Sequence, residues 1–178
     1  MSGHNKWSQI KEQKGKTDAQ KSKIFSLYAK IITMETKKAG GDKNAPGLKT
    51  AIDRAKAFNV PNENIDRAVK KGLGSDAGNM EEVVYEAYGP GGVAFLIEGI
   101  TDNKNRTTQE IKHLLAKNGG NLGAQGSVAW AFQKNTDGYS PTTLMEPTEV
   151  EREAIKRLSE ELSEHEDIKN IYLNAKIG

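Results

Sequence analysis

A chain of 178 residues with 35% hydrophobic and 28% charged residues has the length and balance of one globular domain or two small ones, each able to bury a core. It contains no cysteine, which excludes disulfides, thiolate zinc sites and cysteine nucleophiles. No apolar run approaches a membrane span and no signal-peptide segment opens the chain, so a cytoplasmic setting is expected, with an organellar form as the alternative. The net charge of +2 hides a division. Residues 1–75 carry 16 Lys and Arg against 7 Asp and Glu, a net +9, while residues 76–178 carry 10 against 17, a net −7. A basic half of this kind suits a polyanion, and its cations can equally attract the acidic half.

The tail MSGHNKWSQIKEQKGK brings His4, Lys6 and Trp7 together and adds Lys11, Lys14 and Lys16. Thr17 and Gln20 have the spacing of a capping box, which predicts a helix from Asp18. Ile24, Leu27, Tyr28, Ile31, Ile32 and Met34 recur at helical steps and form its inner side, and Gly40 and Gly41 end it. Lys16, Lys23, Lys30 and Lys37 are seven apart; that step drifts only about 20° around a helix, so they form one basic stripe. A second helix is expected over 46–58, with Leu48, Ala51, Ile52, Ala55 and Phe58 inward and Lys49 and Lys56 on its surface. A third begins at Pro61, with Ile65, Ala68 and Val69 inward, Arg67, Lys70 and Lys71 outward, and Gly72 and Gly74 closing it. Residues 1–75 therefore read as a basic helical domain with an N-terminal tail.

GLGSDAGNMEE, 72–82, reads as a linker, after which the pattern changes period and 76–178 form an acidic α+β domain. EVVYEAYG and GVAFLIEGI are two strands joined by a turn at 89–92, since a phosphate-binding glycine loop would be followed by a helix. A helix starts near 105–107, and Asp102, Asn103, Asn105, Arg106 and Thr107 cluster on the loop and first turn that lead into it. Such a place can receive an anion or polar ligand, and capping chemistry alone also accounts for it. GSVAWAFQK, 126–134, alternates Val128, Trp130 and Phe132 and predicts a strand; TTLMEP predicts another. A helix capped by Thr148 follows, with Val150, Ile155, Leu158 and Leu162 inside, and DIKNIYLN is the last strand. The second half thus orders β-β-α-β-β-α-β, an α/β sandwich.

MSGHNKWSQIK, GGD at 40–42, AIDRAKAFNVPNENIDRAVKKG, YEAYGPGG, LIEGITDNKNRT and GGNLGAQGSVAWAF in this order resemble the YebC/PmpR family, over nearly the whole chain. Relatives of that family include mitochondrial translational activators of cytochrome oxidase. The resemblance implies a helical first domain, an α/β second domain and a non-enzymatic regulator of gene expression. It is consistent with either DNA-binding transcriptional control or a ribosome-associated role in translation. It carries the family's G-H-x-K-W motif onto Gly3, His4, Lys6 and Trp7, and D-N-x-N-R-T onto Asp102, Asn103, Asn105, Arg106 and Thr107. A cation, an imidazole and an indole on a tail suit an unpaired RNA base, although Trp7 can equally pin the tail to the bundle.

Two departures stand out. The family usually inserts a third domain between the strand near Gln133 and the segment near Pro141, where only KNTDGYS lies here, so the chain reads as a two-domain form. No arginine precedes Arg54, and lysine keeps charge while giving up the bidentate fork to phosphate. His4, His113 and His165 lie far apart, with no metalloprotease, nucleophile-elbow or Walker motif, and His113 and His165 read as surface residues. No catalysis, metal, cofactor, membrane or small-molecule substrate is therefore expected. Nucleic acid is the expected partner, RNA or the ribosome ahead of DNA; a protein-binding adaptor that uses the acidic second domain is the rival of another class.

Overall fold

The structure, a computed structural model, describes residues 6–7, 17–75, 78, 80–136 and 138–177. Those residues fall into two compact units: 17–82 with Ile100–Lys104, and 6–7 with Val83–Gly99 and 105–177. The fold is α+β, and among the described residues no helix is long and apolar enough to cross a membrane.

The first unit is three helices: α1 (Asp18–Ala39), α2 (Pro46–Ala57) and α3 (Asn62–Leu73). The capping box at the start of α1 is formed as the spacing implies: Gln20 N–H donates to Thr17 Oγ1 at 3.2 Å and Thr17 N–H to Gln20 Oε1 at 2.9 Å. Gly40 ends the helix in the left-handed conformation at φ 60. Ile24, Leu27, Tyr28, Ile31, Ile32 and Met34 are all buried, and α2 and α3 pack on this face with Leu48, Ala51, Ala55, Ile65, Ala68 and Val69. Tyr28 and Phe58 stack at 5.6 Å between ring centroids.

Gly74 caps α3, but Gly72 lies inside it and serves packing. A Cβ there would come within 2.6 Å of Thr36 Cβ and 2.7 Å of the Thr33 carbonyl oxygen, so the bare glycine sets how closely α3 approaches α1. Gly72→Ala is expected to destabilise the unit by about 1–3 kcal/mol through overpacking, despite the better helix propensity of alanine. A urea midpoint equal to wild type would refute this account.

The second unit is a five-stranded sheet in the order β1-β7-β3-β2-β4, built from β1 (Lys6–Trp7), β2 (Glu81–Tyr88), β3 (Ala94–Thr101), β4 (Asn121–Leu122) and β7 (Ile168–Leu173). Central β3 runs antiparallel to β7, pairing Phe95 with Leu173 and Ile97 with Ile171, with a bulge between Glu98 and Gly99. The 89–92 segment is the expected turn: Gly89 N–H donates to the Val93 carbonyl at 2.8 Å, and Gly91 and Gly92 have φ 72 and 78.

Alternation along the strands creates two cores. One face buries Tyr85, Phe95, Ile97, Ile171 and Leu173 beneath α4 (Lys104–Lys117) and α5 (Glu149–Glu164), which contribute Ile111, Leu115, Ile155, Leu158 and Leu162. The other buries Leu96 and Tyr172 against Val128, Ala131 and Phe132. Thr148 caps α5 through a second capping box, with Glu151 N–H donating to Thr148 Oγ1 and Thr148 N–H to Glu151 Oε2.

Three expectations are corrected. The predicted strand over 126–134 is broken, because a 3-10 turn at Ala129–Ala131 interrupts the alternation: Val128 and Phe132 stay buried while Trp130 is 67% exposed. Regular pairing resumes in β5 (Phe132–Asn135), which forms a hairpin with β6 (Gly138–Pro141). TTLMEP contributes only an isolated bridge from Met145 to Ala175. Val150 is 80% exposed, since in the first turn of α5 it lies off the arc of Ile155, Leu158 and Leu162. The KNTDGYS segment, where an inserted domain would stand, supplies most of the β5–β6 hairpin, with Asn135 paired to Gly138.

Candidate nucleic-acid interface

Lys49 and Lys56 on α2, and Lys70 and Lys71 on α3, are exposed, as are Arg54 and Arg67 on the same two helices. The lysine stripe of α1 is less uniform. Lys23 is half-buried with its Nζ inside the protein, and Lys30 is half-buried. Lys37 is exposed and its ammonium donates to the Gly78 carbonyl at 2.9 Å. The physical reason is the width of the apolar arc: α1 is covered by both α2 and α3, so a position beside Ile24 and Leu27 is drawn inward whatever its polarity. Lys23 is thereby removed from the predicted surface.

His4, Lys11, Lys14 and Lys16 lie outside the described residues. Lys6 and Trp7 are described as backbone only, in β1, which adds an antiparallel edge to β7 with Lys6 opposite Tyr172 and Trp7 opposite Ile171.

The DNKNRT segment is divided in its use. Asp102, Asn103 and Asn105 are exposed, and Asn103 N–H donates to Thr101 Oγ1 at 2.9 Å. Arg106 and Thr107 turn onto one buried carboxylate: Arg106 Nη2 and Thr107 Oγ1 donate to the same oxygen of Asp167, at 2.9 and 2.8 Å. Asp167 has its side chain 1% exposed, at the turn between α5 and β7. Its N–H donates to His165 Nδ1 at 3.1 Å, which leaves Nε2–H to donate to Glu110. His165 is therefore part of a network and not the surface residue its position on a charged helix suggests, whereas His113 is exposed.

Glu110, His165 and Asp167 offer ligand atoms within 4.8 Å of one another, a spacing a divalent cation can use. The Arg106 guanidinium already supplies positive charge at that carboxylate, so these residues read as an internal lock between the start of α4 and the start of β7. Asp167→Ala removes the buried carboxylate that accepts from both the Thr107 hydroxyl and the Arg106 guanidinium. We expect a loss of about 2–3 kcal/mol in urea unfolding, and an unchanged midpoint would refute the lock.

A second buried carboxylate organises the loop after β4. Glu86, on β2, accepts backbone N–H groups from Gly126, Val128 and Ala129 at 2.5, 3.0 and 2.7 Å. Burial pushes its carboxyl up, but the three N–H donors outweigh this and hold it below its ordinary value of 4.5. Two residues along β2, the Tyr88 hydroxyl donates to the Ser127 carbonyl at 2.9 Å, and Trp130 Nε1–H donates to that same oxygen at 2.7 Å. Sequence reading missed Glu86, Glu110, His165 and Asp167 because each acts on partners some 40 to 60 residues away, which no local spacing encodes.

The fold and these sites define a class: a protein with a lysine-bearing helical unit and a separate α+β unit. The TACO1/YebC N-terminal domain model matches residues 5–75, and the TACO1/YebC second and third domain model matches 80–137. The chain belongs to the TACO1/YebC family. A "Probable transcriptional regulatory protein" of Thermoanaerobacter pseudethanolicus is 54% identical over 136 residues, covering 75% of this chain and 55% of that one. Another, from Desulfosudis oleivorans, is 46% identical over 169 residues, covering 94% and 69%. The chain spans little more than half the length of the first of these relatives. The crystal structure of a conserved hypothetical protein from Aquifex aeolicus superposes with a TM-score of 0.81 at 29% identity, over 90% of this chain and 92% of that one.

Proposed function

We propose that this chain is a non-enzymatic, nucleic-acid-binding regulator of gene expression that acts in the cytoplasm on structured RNA or the ribosome. The observation that carries the reading is the set of exposed lysines on α2 and α3 within a half-chain of net charge +9. Lysines on short helices neutralise phosphates without reading sequence. The exposed side chains of α2 and α3 include Asp53, Glu63 and Asp66 among the cations and form no row of Arg, Asn or Gln suited to major-groove base edges, which favours RNA. The relatives' name, probable transcriptional regulatory protein, favours DNA-binding transcriptional control as the second reading.

The test is a salt-titrated competition between labelled structured ribosomal RNA and unlabelled duplex DNA of equal length, with a variant carrying glutamate at 49, 56, 70 and 71 alongside. RNA preference that the variant loses supports the proposal, and duplex preference transfers it to transcription. Binding to neither refutes both, and leaves an adaptor that works through the exposed acids of α5, such as Glu153 and Glu160.

A further inference from the structure

Among residues whose side chains are described, Trp130 is the one exposed aromatic, and its indole is held in a fixed orientation. Nε1–H, the only polar atom of the ring, is consumed by the Ser127 carbonyl, so what remains toward solvent is π surface. The backbone beneath is held by three N–H bonds to Glu86, and the Tyr88 hydroxyl shares the Ser127 oxygen with the indole. A buried charge, a tyrosine and a turn thus converge on a loop whose outward feature is one aromatic ring. Stability alone does not call for that, because an exposed indole contributes little burial.

The chemistry around the ring selects its occupant. Residues 118–136 contain no Asp or Glu, although residues 76–178 as a whole carry net −7. The Glu86 charge is turned inward to backbone donors, and Gln125, Gln133, Lys134 and Asn135 are exposed along the same stretch. Amides and a cation on the same stretch as an unblocked ring complement base edges, phosphate and a base face. A protein partner would be better served by a contiguous apolar surround, and apart from Trp130 itself and the small side chains of Ala124 and Ala129 the exposed residues of this stretch are polar or glycine.

We infer that Trp130 is a stacking platform for an unpaired nucleobase, a second contact of the α+β unit with single-stranded segments of its RNA. This rests on the proposed nucleic-acid reading and specifies what the second unit contributes to it. The test uses the full chain, a fluorescein-labelled single-stranded RNA 16-mer, and Trp130→Ala and Trp130→Phe variants. One stacked base corresponds to roughly 5- to 150-fold in affinity, so Trp130→Ala is expected to weaken binding about tenfold or more, with an unchanged salt slope, while Trp130→Phe retains most of it. In a Trp7→Phe background, with RNA binding by that variant verified from fluorescein anisotropy and the RNA added to saturation, the remaining indole fluorescence should be quenched. Wild-type affinity in Trp130→Ala, or no quenching by bound RNA, overturns the platform while leaving the lysine-based reading intact. If the wild-type chain binds no RNA, both are overturned; if it binds and the four-lysine variant loses affinity while Trp130→Ala does not, the platform alone fails.

Discussion

Changing Lys49, Lys56, Lys70 and Lys71 together to glutamate is expected to cut affinity for structured RNA on the order of a hundredfold or more at moderate salt, and to flatten the salt dependence of what remains. Each ammonium that neutralises a phosphate releases condensed counterion, about 0.7 to 0.9 per contact, so losing four contacts lowers the log–log slope by roughly 3 to 3.6. All four side chains are exposed on α2 and α3 while the inner faces carry Leu48, Ala51, Ala55, Ile65, Ala68 and Val69, so the variant should fold with an unchanged helical signal. These four test the surface more cleanly than the α1 stripe. Reversing Lys23 would place a carboxylate where the Nζ is buried, and any loss of binding could then be a loss of structure. An affinity and slope equal to wild type would remove α2 and α3 from the interface.

The features legible in the sequence are those encoded within a turn or two of chain. The boxes at Thr17 and Thr148, the inner faces of the helices, the 89–92 turn and the α+β class all follow from spacings of two to seven residues. What failed was inference from one periodicity alone. Seven-residue spacing placed Lys23 on a surface stripe, yet the wide packing arc of α1 takes its ammonium inside. Alternation placed Trp130 beside Val128 and Phe132, yet three residues of 3-10 geometry turn it out. The two buried carboxylates were invisible for a different reason. Glu86 stands in a strand otherwise rich in branched and aromatic residues, and Asp167 in a charged run, EHEDIK. Their roles arise only when Gly126 to Ala129 and Arg106 with Thr107 arrive from elsewhere in the chain.

Glu86→Gln should show how far that long-range organisation matters. The change keeps the shape but removes the charge and presents an NH2 to a pocket of three N–H donors, so at least one donor loses its acceptor. We expect a loss of about 2–3 kcal/mol at neutral pH in urea unfolding. The pH dependence fixes the cause. Because the folded carboxyl lies below its ordinary 4.5, the ionised form is bound more strongly in the folded state. Its contribution is therefore complete above about pH 4.5 and fades as pH falls through the lowered folded value. The stability gap between wild type and Glu86→Gln should narrow over that acidic window. A gap that persists unchanged into acid would mean the variant acts through shape and not charge. The same substitution loosens the backbone that carries Ser127 and Trp130, so Trp130 emission should become more mobile on a nanosecond scale at neutral pH, as fluorescence anisotropy in the Trp7→Phe background would read it. If the fold weakens while the indole stays as ordered as in wild type, the Ser127 carbonyl and Tyr88 alone orient the ring.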